Sequence, residues 1–326
     1  MLAYLLRRLA WAIPTLLAVS FLVFIAVRLA PSSPVEAKLG EKATPEQREQ
    51  LLHHYGLDQP LLVQYFRYIG NIVLHGDFGE SYVEEGRPVT QNIKERFPVT
   101  ACLAITALLF AALLGLPAGA LAAYYHNSWF DRALMAIVVA LVSVPSIVLG
   151  PLLIYFIAVQ LRWLPVSGWE SVDVTLANAI RFTLPLPRYL VLPTIALGAR
   201  SAALLARFMR ASLLETLRQD YVRTAIAKGL TRAQAVRRHA LKNAFLPVLT
   251  VLGTNFGALL TGSFVVETMF QIPGIGYDSI NSISTRDYPV IQGIALLVAS
   301  IYLLVNLGVD LLYGVIDPRI RQEAKA

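Results

Sequence analysis

Only one cysteine, Cys102, occurs in the chain, and it sits within an apolar run, so no intrachain disulfide can form and it reads as a small packing residue. No G-x-x-x-x-G-K-[ST] segment is present to cradle nucleotide phosphates, and neither H-E-x-x-H nor C-x-x-C occurs. The histidines are scattered. His53 and His54 read as a solvated helix face, and His75 with Asp77 supplies two metal ligands without a third. Charge is scarce too: 15% of the 326 residues are charged against 56% hydrophobic, which excludes an ordinary soluble enzyme and points to a polytopic membrane protein. The net charge of +7 does not signal nucleic acid, because the basic residues cluster beside apolar runs, where membrane orientation accounts for them.

What the chain has instead is long apolar runs. The first, Leu9 to Val27, is 19 residues without a charge, close to the length a bilayer requires. Met1 to Arg8 precedes it as a short amphipathic lead, and the run is too long for the apolar core of a cleaved signal peptide. Five more follow: Val99 to Tyr125, Ala133 to Leu161, Tyr189 to Ala206, Asn243 to Val266 and Tyr288 to Val309. Six spans place both termini on one side. The basic residues agree, since Arg7 and Arg8, the connector 126–132, the loop 207–244 and the tail with Arg319, Arg321 and Lys325 all fall on that side. The expected fold is therefore an all-α polytopic membrane protein with six transmembrane helices and a small external domain after the first. It divides into 1–29 (lead and first span), 30–98 (external domain), 99–318 (five-span core) and 319–326 (cytoplasmic tail).

In the external segment Thr44-Pro45 gives an N-cap followed by a first-turn proline, so a helix is predicted from Pro45 to about Gly56, and a second from Leu61 to about Leu74. Within the spans, Gly115-Leu116-Pro117, Pro145 and Pro151 mark breaks. Thr254, Asn255, Thr261 and Ser263 on the fifth span are candidates either to line a water-filled passage or to pack helix on helix. Arg200 is the one charge within a span proper, and Asp310 closes the last span. No pair of acids lies within the spans, which counts against a proton- or sodium-coupled transporter.

The longest polar insertion is the loop 207–244, with nine Lys/Arg against two acids, Glu215 and Asp220. Its punctuation predicts a helix from about Ser212 to Lys228, a stop at Gly229, and a restart at Thr231, which with Gln234 has capping-box spacing. Ala225 and Gly229, four apart, are expected to open one face to a partner, with Tyr221 and Leu217 as anchors.

Within this loop D-Y-V-R-T-A-x-A-K-G-L followed by R-H-A-L-K-N-A-x-L-P resembles the EAA loop of ABC-importer permeases, most closely the dipeptide, oligopeptide and nickel branch. The Glu-Ala-Ala triplet of the general pattern is replaced by Arg223, Thr224 and Ala225, and Leu246-Pro247 falls later than in sugar importers. G-D-F-G-E-S-Y from Gly76, P-V-T-Q-N-I-K-E-R-F-P-V-T from Pro88, and E-T-M-F-Q-I-P-G-I-G-Y-D-S-I with R-D-Y-P-V-I-Q-G after the fifth span are similar to the same branch.

The resemblance implies a permease subunit in the inner membrane, itself without an ATPase site or bound cofactor. ATP and Mg would be held by two partner ATPase subunits. The other partners are a homologous second permease and an external solute-binding protein. The loop 207–244 would couple to an ATPase through Asp220, Tyr221, Arg223, Thr224, Ala225, Lys228 and Gly229. The external loop 267–287 would form an outer gate at Pro273, Gly274, Ile275 and Gly276, with Ile272 and Ile275 dipping into the mouth. Peptides are the expected cargo, with a nickel chelate or glutathione as alternatives. The competing reading from another class is a self-contained secondary transporter or channel.

Overall fold

A computed structural model describes the backbone of residues 2–29, 35, 44–176 and 180–316 and, apart from 2–7, 9, 172–184 and 310–316, their side chains. The tail with Arg319, Arg321 and Lys325, part of the 30–98 segment, and the side chains of Arg7 and Asp310 lie outside the described residues. Helices account for nearly everything. They are α1 Leu2–Leu29, α2 Pro45–His54, α3 Leu61–His75, α4 Val89–Tyr124, α5 Trp129–Ser143, α6 Ser146–Leu153, α7 Pro187–Leu217, α8 Asp220–Ala227, α9 Arg232–Ala235, α10 Leu241–Phe270, α11 Ile275–Thr285 and α12 Tyr288–Ile316. Two π-helical stretches, Ile154–Gln160 and Val236–Ala240, continue α6 and join α9 to α10.

Five of these helices are long and apolar enough to cross a membrane, and α5 with the helix that follows it makes a sixth candidate span. That sixth span is not straight: the two halves meet at 104°. Pro145 explains the break, because it has no N–H to give and it drives Val144 out of the helical region, to φ −90° and ψ 116°. Pro117 and Pro247, by contrast, are carried inside continuous helices. An element the all-helical reading did not anticipate is a two-stranded antiparallel hairpin, β1 Ser171–Leu176 with β2 Ile180–Pro185, in register Ser171 to Pro185. Its S-V-D-V-T-L stretch carries Val172, Val174 and Thr175, the β-branched type that strands favour.

The chain packs as two compact units, residues 1–100 with 273–304, and residues 101–272 with 305–326. In the first unit α3 is fastened to α1 by Tyr65, whose hydroxyl donates to the Leu17 carbonyl at 3.0 Å and whose ring meets Phe21 and Phe24 edge-on. Thr44 caps α2 with Gln47 completing a capping box, and Gly76 ends α3 in the left-handed conformation.

The second unit is organised around α4 and α7. A methyl group built on Gly119 would lie 2.2 Å from the Ala206 carbonyl oxygen, and one on Gly115 would lie 2.4 Å from that of Ala202. Gly198 returns the contact from α7, 2.8 Å from the Ala107 carbonyl. The two backbones touch along a small-xxx-small seam, the way helices associate where lipid offers no hydrophobic driving force. Gly115-Leu116-Pro117, read from the sequence as a flexible break, is thus part of a tight packing surface.

At the end of that seam Arg210 grips Asp131 with both arms, Nε to Oδ1 at 2.6 Å and Nη2 to Oδ2 at 2.7 Å. Asp131 is 2% exposed; its Oδ2 also accepts the Asn127 N–H at 3.0 Å, and its own N–H donates to the capping Ser128 hydroxyl. Breaking a buried, hydrogen-bonded ion pair costs about 3–5 kcal/mol because the remaining charge is stranded.

Two outcomes follow for thermal stability in detergent. Gly119→Leu should lower the melting temperature sharply, by the equivalent of at least ~2 kcal/mol of overpacking, since the obstruction is backbone and cannot swing aside. Asp131→Ala and Arg210→Ala should each destabilise, and the double variant should lose less than the sum of the two; strict additivity would mean that the pair is not coupled.

Candidate functional sites

The basic loop folds as helix, turn, helix, with one change from the expected course. α7 ends at Leu217, Arg218 and Gln219 form a break, and a separate helix, α8, starts at Asp220. At its end the Gly229 N–H donates to the Ile226 carbonyl at 2.9 Å and the Leu230 N–H to the Ala225 carbonyl at 3.3 Å, with Gly229 at φ +93°. That pair of bonds is the Schellman stop. Two residues on, Thr231 and Gln234 form a complete capping box, as their spacing predicts.

Several contacts hold this motif against the rest of the second unit. Val222 is fully buried in a cluster with Leu213, Ala235, Val236 and Ala240. Asn243 Nδ2 donates to the Tyr221 hydroxyl at 2.8 Å, Ser212 Oγ to the Ala244 carbonyl at 2.8 Å, and the Arg232 guanidinium lies over the Tyr124 ring at 5.3 Å.

Of the seven residues singled out here, Asp220, Tyr221, Arg223, Thr224, Lys228 and Gly229 are exposed and lie together on or just after α8. Ala225 is not with them. It is 8% exposed and turned into the chain, so it does not share an open face with Gly229. The apolar side chain that does face outward is Ile226, 45% exposed, which the sequence reading passed over. A methyl on Gly229 would meet nothing within 4 Å, so this residue is required by its φ, and the space above it is open. Arg223 lies 3.7 Å from Asp220 with both groups well exposed, a contact of little energetic weight.

The loop after α10 is more structured than a turn. Gly274 precedes α11, an eleven-residue helix. The Ile275 N–H donates to the Thr100 hydroxyl at 2.9 Å, and Gly274, Ile275 and Gly276 are buried while Pro273 is exposed. Ile272 and Ile275 are 0% and 1% exposed, so both are packed inside the chain and neither projects outward. The residues that do project are Tyr277, Ile280 and Ile283, at i, i+3 and i+6 on α11.

Two buried carboxylates fix that helix. Asp278 accepts from Asn92 Nδ2 at 2.6 Å and sits 3.4 Å from Arg96 Nε. Burial pushes its carboxyl up, against the downward pull of Arg96 and Asn92. Asp287 accepts from the Ser81 hydroxyl and, at 3.0 Å, from the Tyr82 N–H. Neither network was found from the sequence, since the partners lie about 200 positions away.

The four polar residues of the fifth span separate. Ser263 is fully buried and donates to the Leu260 carbonyl at 2.7 Å, and Asn255 accepts from Ser201 Oγ of α7 at 3.4 Å. Both face the chain's own interior. Thr254 and Thr261 are exposed, each bonded to its own helix backbone, and with Ala258 and Val265 they form one outward stripe. Arg200 is exposed as well.

Residues 115–322 match the family described as binding-protein-dependent transport system inner membrane component, and residues 1–104 match the N-terminal region of the same membrane components. A di/tripeptide transport system permease protein, DppB of Pseudomonas aeruginosa, is 44% identical over 99% of this chain and all of its own length. A glutathione transport system permease protein, GsiC of Escherichia coli K12, is 43% identical over 98% of this chain and 99% of its own. Among solved structures, the inward-facing MetNI methionine ABC transporter aligns with a TM-score of 0.55 at 18% identity, over 70% of this chain and 97% of its own. An amino acid ABC transporter solved with histidines aligns at 0.50 and 21%, over 71% and 94%. These likenesses set aside the self-contained secondary transporter or channel and fit the absence of a phosphate-binding loop. The chain belongs to the inner-membrane components of binding-protein-dependent transport systems: it is a multi-pass permease subunit of an ABC importer, with no ATPase activity of its own.

Proposed function

We propose that this permease carries di- or tripeptides or glutathione inward, pairs with a second permease to enclose the passage, and takes its energy from ATPase subunits docked on α8. Cargo rests on the two relatives, whose names give di/tripeptides and glutathione, the latter itself a tripeptide. Neither name favours a nickel chelate. ATP and Mg would be held by the ATPases, and an external binding protein would deliver the peptide. The layout that goes with this reading puts both termini and the loop 207–244 in the cytoplasm and residues 30–98 and the loop 267–287 outside.

The observation that carries the docking role is the exposed face of α8. Tyr221, Arg223 and Ile226 are exposed on a short helix that Val222 and Ala225 pin to the chain, and exposed Lys228 follows before a glycine with nothing above it. Such a knob is rigid, outward and mixed in chemistry, which suits insertion into a groove. ATP-driven closure would move it, and through α7 and α10 the spans would switch from inward-open to outward-open.

At the other end we propose that α11, with Pro273, Gly274, Ile275 and Gly276 at its start, forms the outer gate and offers Tyr277, Ile280 and Ile283 to the second permease or the binding protein. The Thr254 and Thr261 stripe would line the passage.

Gly229→Asn separates two roles of the glycine, because asparagine tolerates the left-handed conformation and keeps the helix stop while adding bulk where the partner would approach. The variant should insert and fold normally yet lose peptide uptake and peptide-stimulated ATP hydrolysis in the reconstituted importer. Unchanged uptake would remove Gly229 from the docking surface. For the whole reading, the tagged chain should copurify with two ATPase subunits and a second permease, and vanadate should block uptake; a chain that purifies alone and moves peptide down an ion gradient would sink it.

A further inference from the structure

Helix α3 presents three different sides. Gln64, Arg67 and Asn71, at i, i+3 and i+7, share one of them and line a hollow of the first unit together with Arg28. Tyr65 faces α1. The remaining side is apolar and uncovered: Leu62, Phe66 and Val73, at i, i+4 and i+11, are 59%, 68% and 75% exposed, and Val63 and Leu74 widen the stripe. The helix holds one permanent charge, Arg67, and no acid. An exposed apolar surface of this breadth marks a contact with something other than water.

What covers the stripe follows from where α3 is fixed. The Tyr65 hydroxyl donates to the Leu17 carbonyl at 3.0 Å and lies 2.9 Å from Ser20 Oγ, and its ring meets Phe21 and Phe24. All of these partners belong to the membrane-crossing stretch of α1, Ala10–Leu29. Phe21 lies about 12 Å short of the end of that stretch at 1.5 Å per residue, against a hydrocarbon half-thickness of about 15 Å. The middle of α3 is therefore level with hydrocarbon. α1 itself exposes Leu17 and Leu22 at that level. α3 does not cross, because its 15 residues rise about 22 Å, short of the roughly 30 Å core. A protein partner fits the stripe less well, since leucine and valine are under-represented among interface hot spots and the stripe has no tryptophan, tyrosine or arginine.

We propose that α3 is a monotopic membrane helix, with its Leu62, Phe66 and Val73 side immersed in lipid acyl chains beside α1 and its Gln64, Arg67 and Asn71 side kept in protein. It shares the leaflet of the C-terminal end of α1, which is the outer one on the layout proposed above. The immersion itself requires only that α1 crosses the membrane. α3 thereby anchors the segment between α1 and α4 at a fixed depth.

Nitroxide labels test this on the full-length permease, purified with whatever subunits accompany it and reconstituted in nanodiscs of phosphatidylethanolamine and phosphatidylglycerol. The labels are carried by Phe66→Cys and Val73→Cys, with Leu22→Cys on α1 as the lipid standard and Glu49→Cys on α2 as the water standard, all in a Cys102→Ser background. Each labelled position is exposed, so the label displaces no packed side chain. Power saturation reads collisions with oxygen, which concentrates among acyl chains, and with chromium oxalate, which stays in water. The ratio of the two does not distinguish leaflets, so a reversed layout leaves the test intact. For Phe66→Cys and Val73→Cys the oxygen-to-chromium ratio should match that of Leu22→Cys and exceed that of Glu49→Cys several-fold. A ratio equal to that of Glu49→Cys would put the stripe in water and overturn the proposal. Low collision rates with both reagents would place a protein over the stripe, the second permease or the binding protein, and would overturn it as well.

Discussion

The contact on which the second unit depends is the backbone seam between α4 and α7. Glycine at 115, 119 and 198 lets carbonyl groups of one helix approach the other to distances at which any side chain would collide. In a bilayer this is the available means of association, because apolar side chains gain nothing by leaving lipid for one another, and only close dispersion contacts and backbone polarity remain. The seam therefore sets where α7 lies. Its far end is then clamped by the two-armed Arg210–Asp131 pair, whose carboxylate is also held by the Asn127 N–H.

From that fixed end the course of the basic loop follows with little freedom. α7 stops at Leu217, α8 folds back with Val222 in the core, and the capping box at Thr231 starts the return toward α10. The exposed face of α8 is consequently a surface of defined shape. Its charges contribute less than their number suggests. Arg223 and Asp220 are both well exposed, where solvent screening leaves an ion pair near the bottom of its energy range, and the basic excess of the loop is already explained by membrane orientation. In the docking role proposed for it, discrimination would come from what is rigid and partly apolar: Tyr221 held by Asn243, Ile226, and the left-handed turn at Gly229.

Features that depend on a few neighbouring residues were legible in the sequence. The Thr44 and Thr231 caps and the stop at Gly229 rest on local backbone chemistry and stand where the sequence put them, whereas the helices that carry the apolar runs reach further, α4 starting at Val89 and not Val99 and α7 ending at Leu217 and not Ala206. What the sequence did not reveal required knowing what lies opposite. Pro145 and Pro117 look alike in a one-dimensional pattern, yet one breaks its helix by 104° and the other is carried in a continuous helix beside the α7 seam. Ala225 and Ile226 lie about 100° apart around α8, and which of the two is buried depends on the elements α8 folds against, not on the local pattern. Asp131, Asp278 and Asp287 look like ordinary surface acids until Arg210, Asn92 and Ser81 are seen beside them.

Those last two acids constrain any motion of α11. Asp278 is tied to Asn92 and Arg96, Asp287 to Ser81 and Tyr82, and the first N–H of the helix to Thr100. All of these partners come from one stretch, residues 81–100. Withdrawing α11 from that stretch would strand two buried carboxylates at once, each a penalty of several kcal/mol. A displacement that carries the stretch along breaks none of these bonds. An element at this position that opens and closes repeatedly must therefore move as one body with residues 81–100, and its hinge lies outside the hydrogen-bonded block.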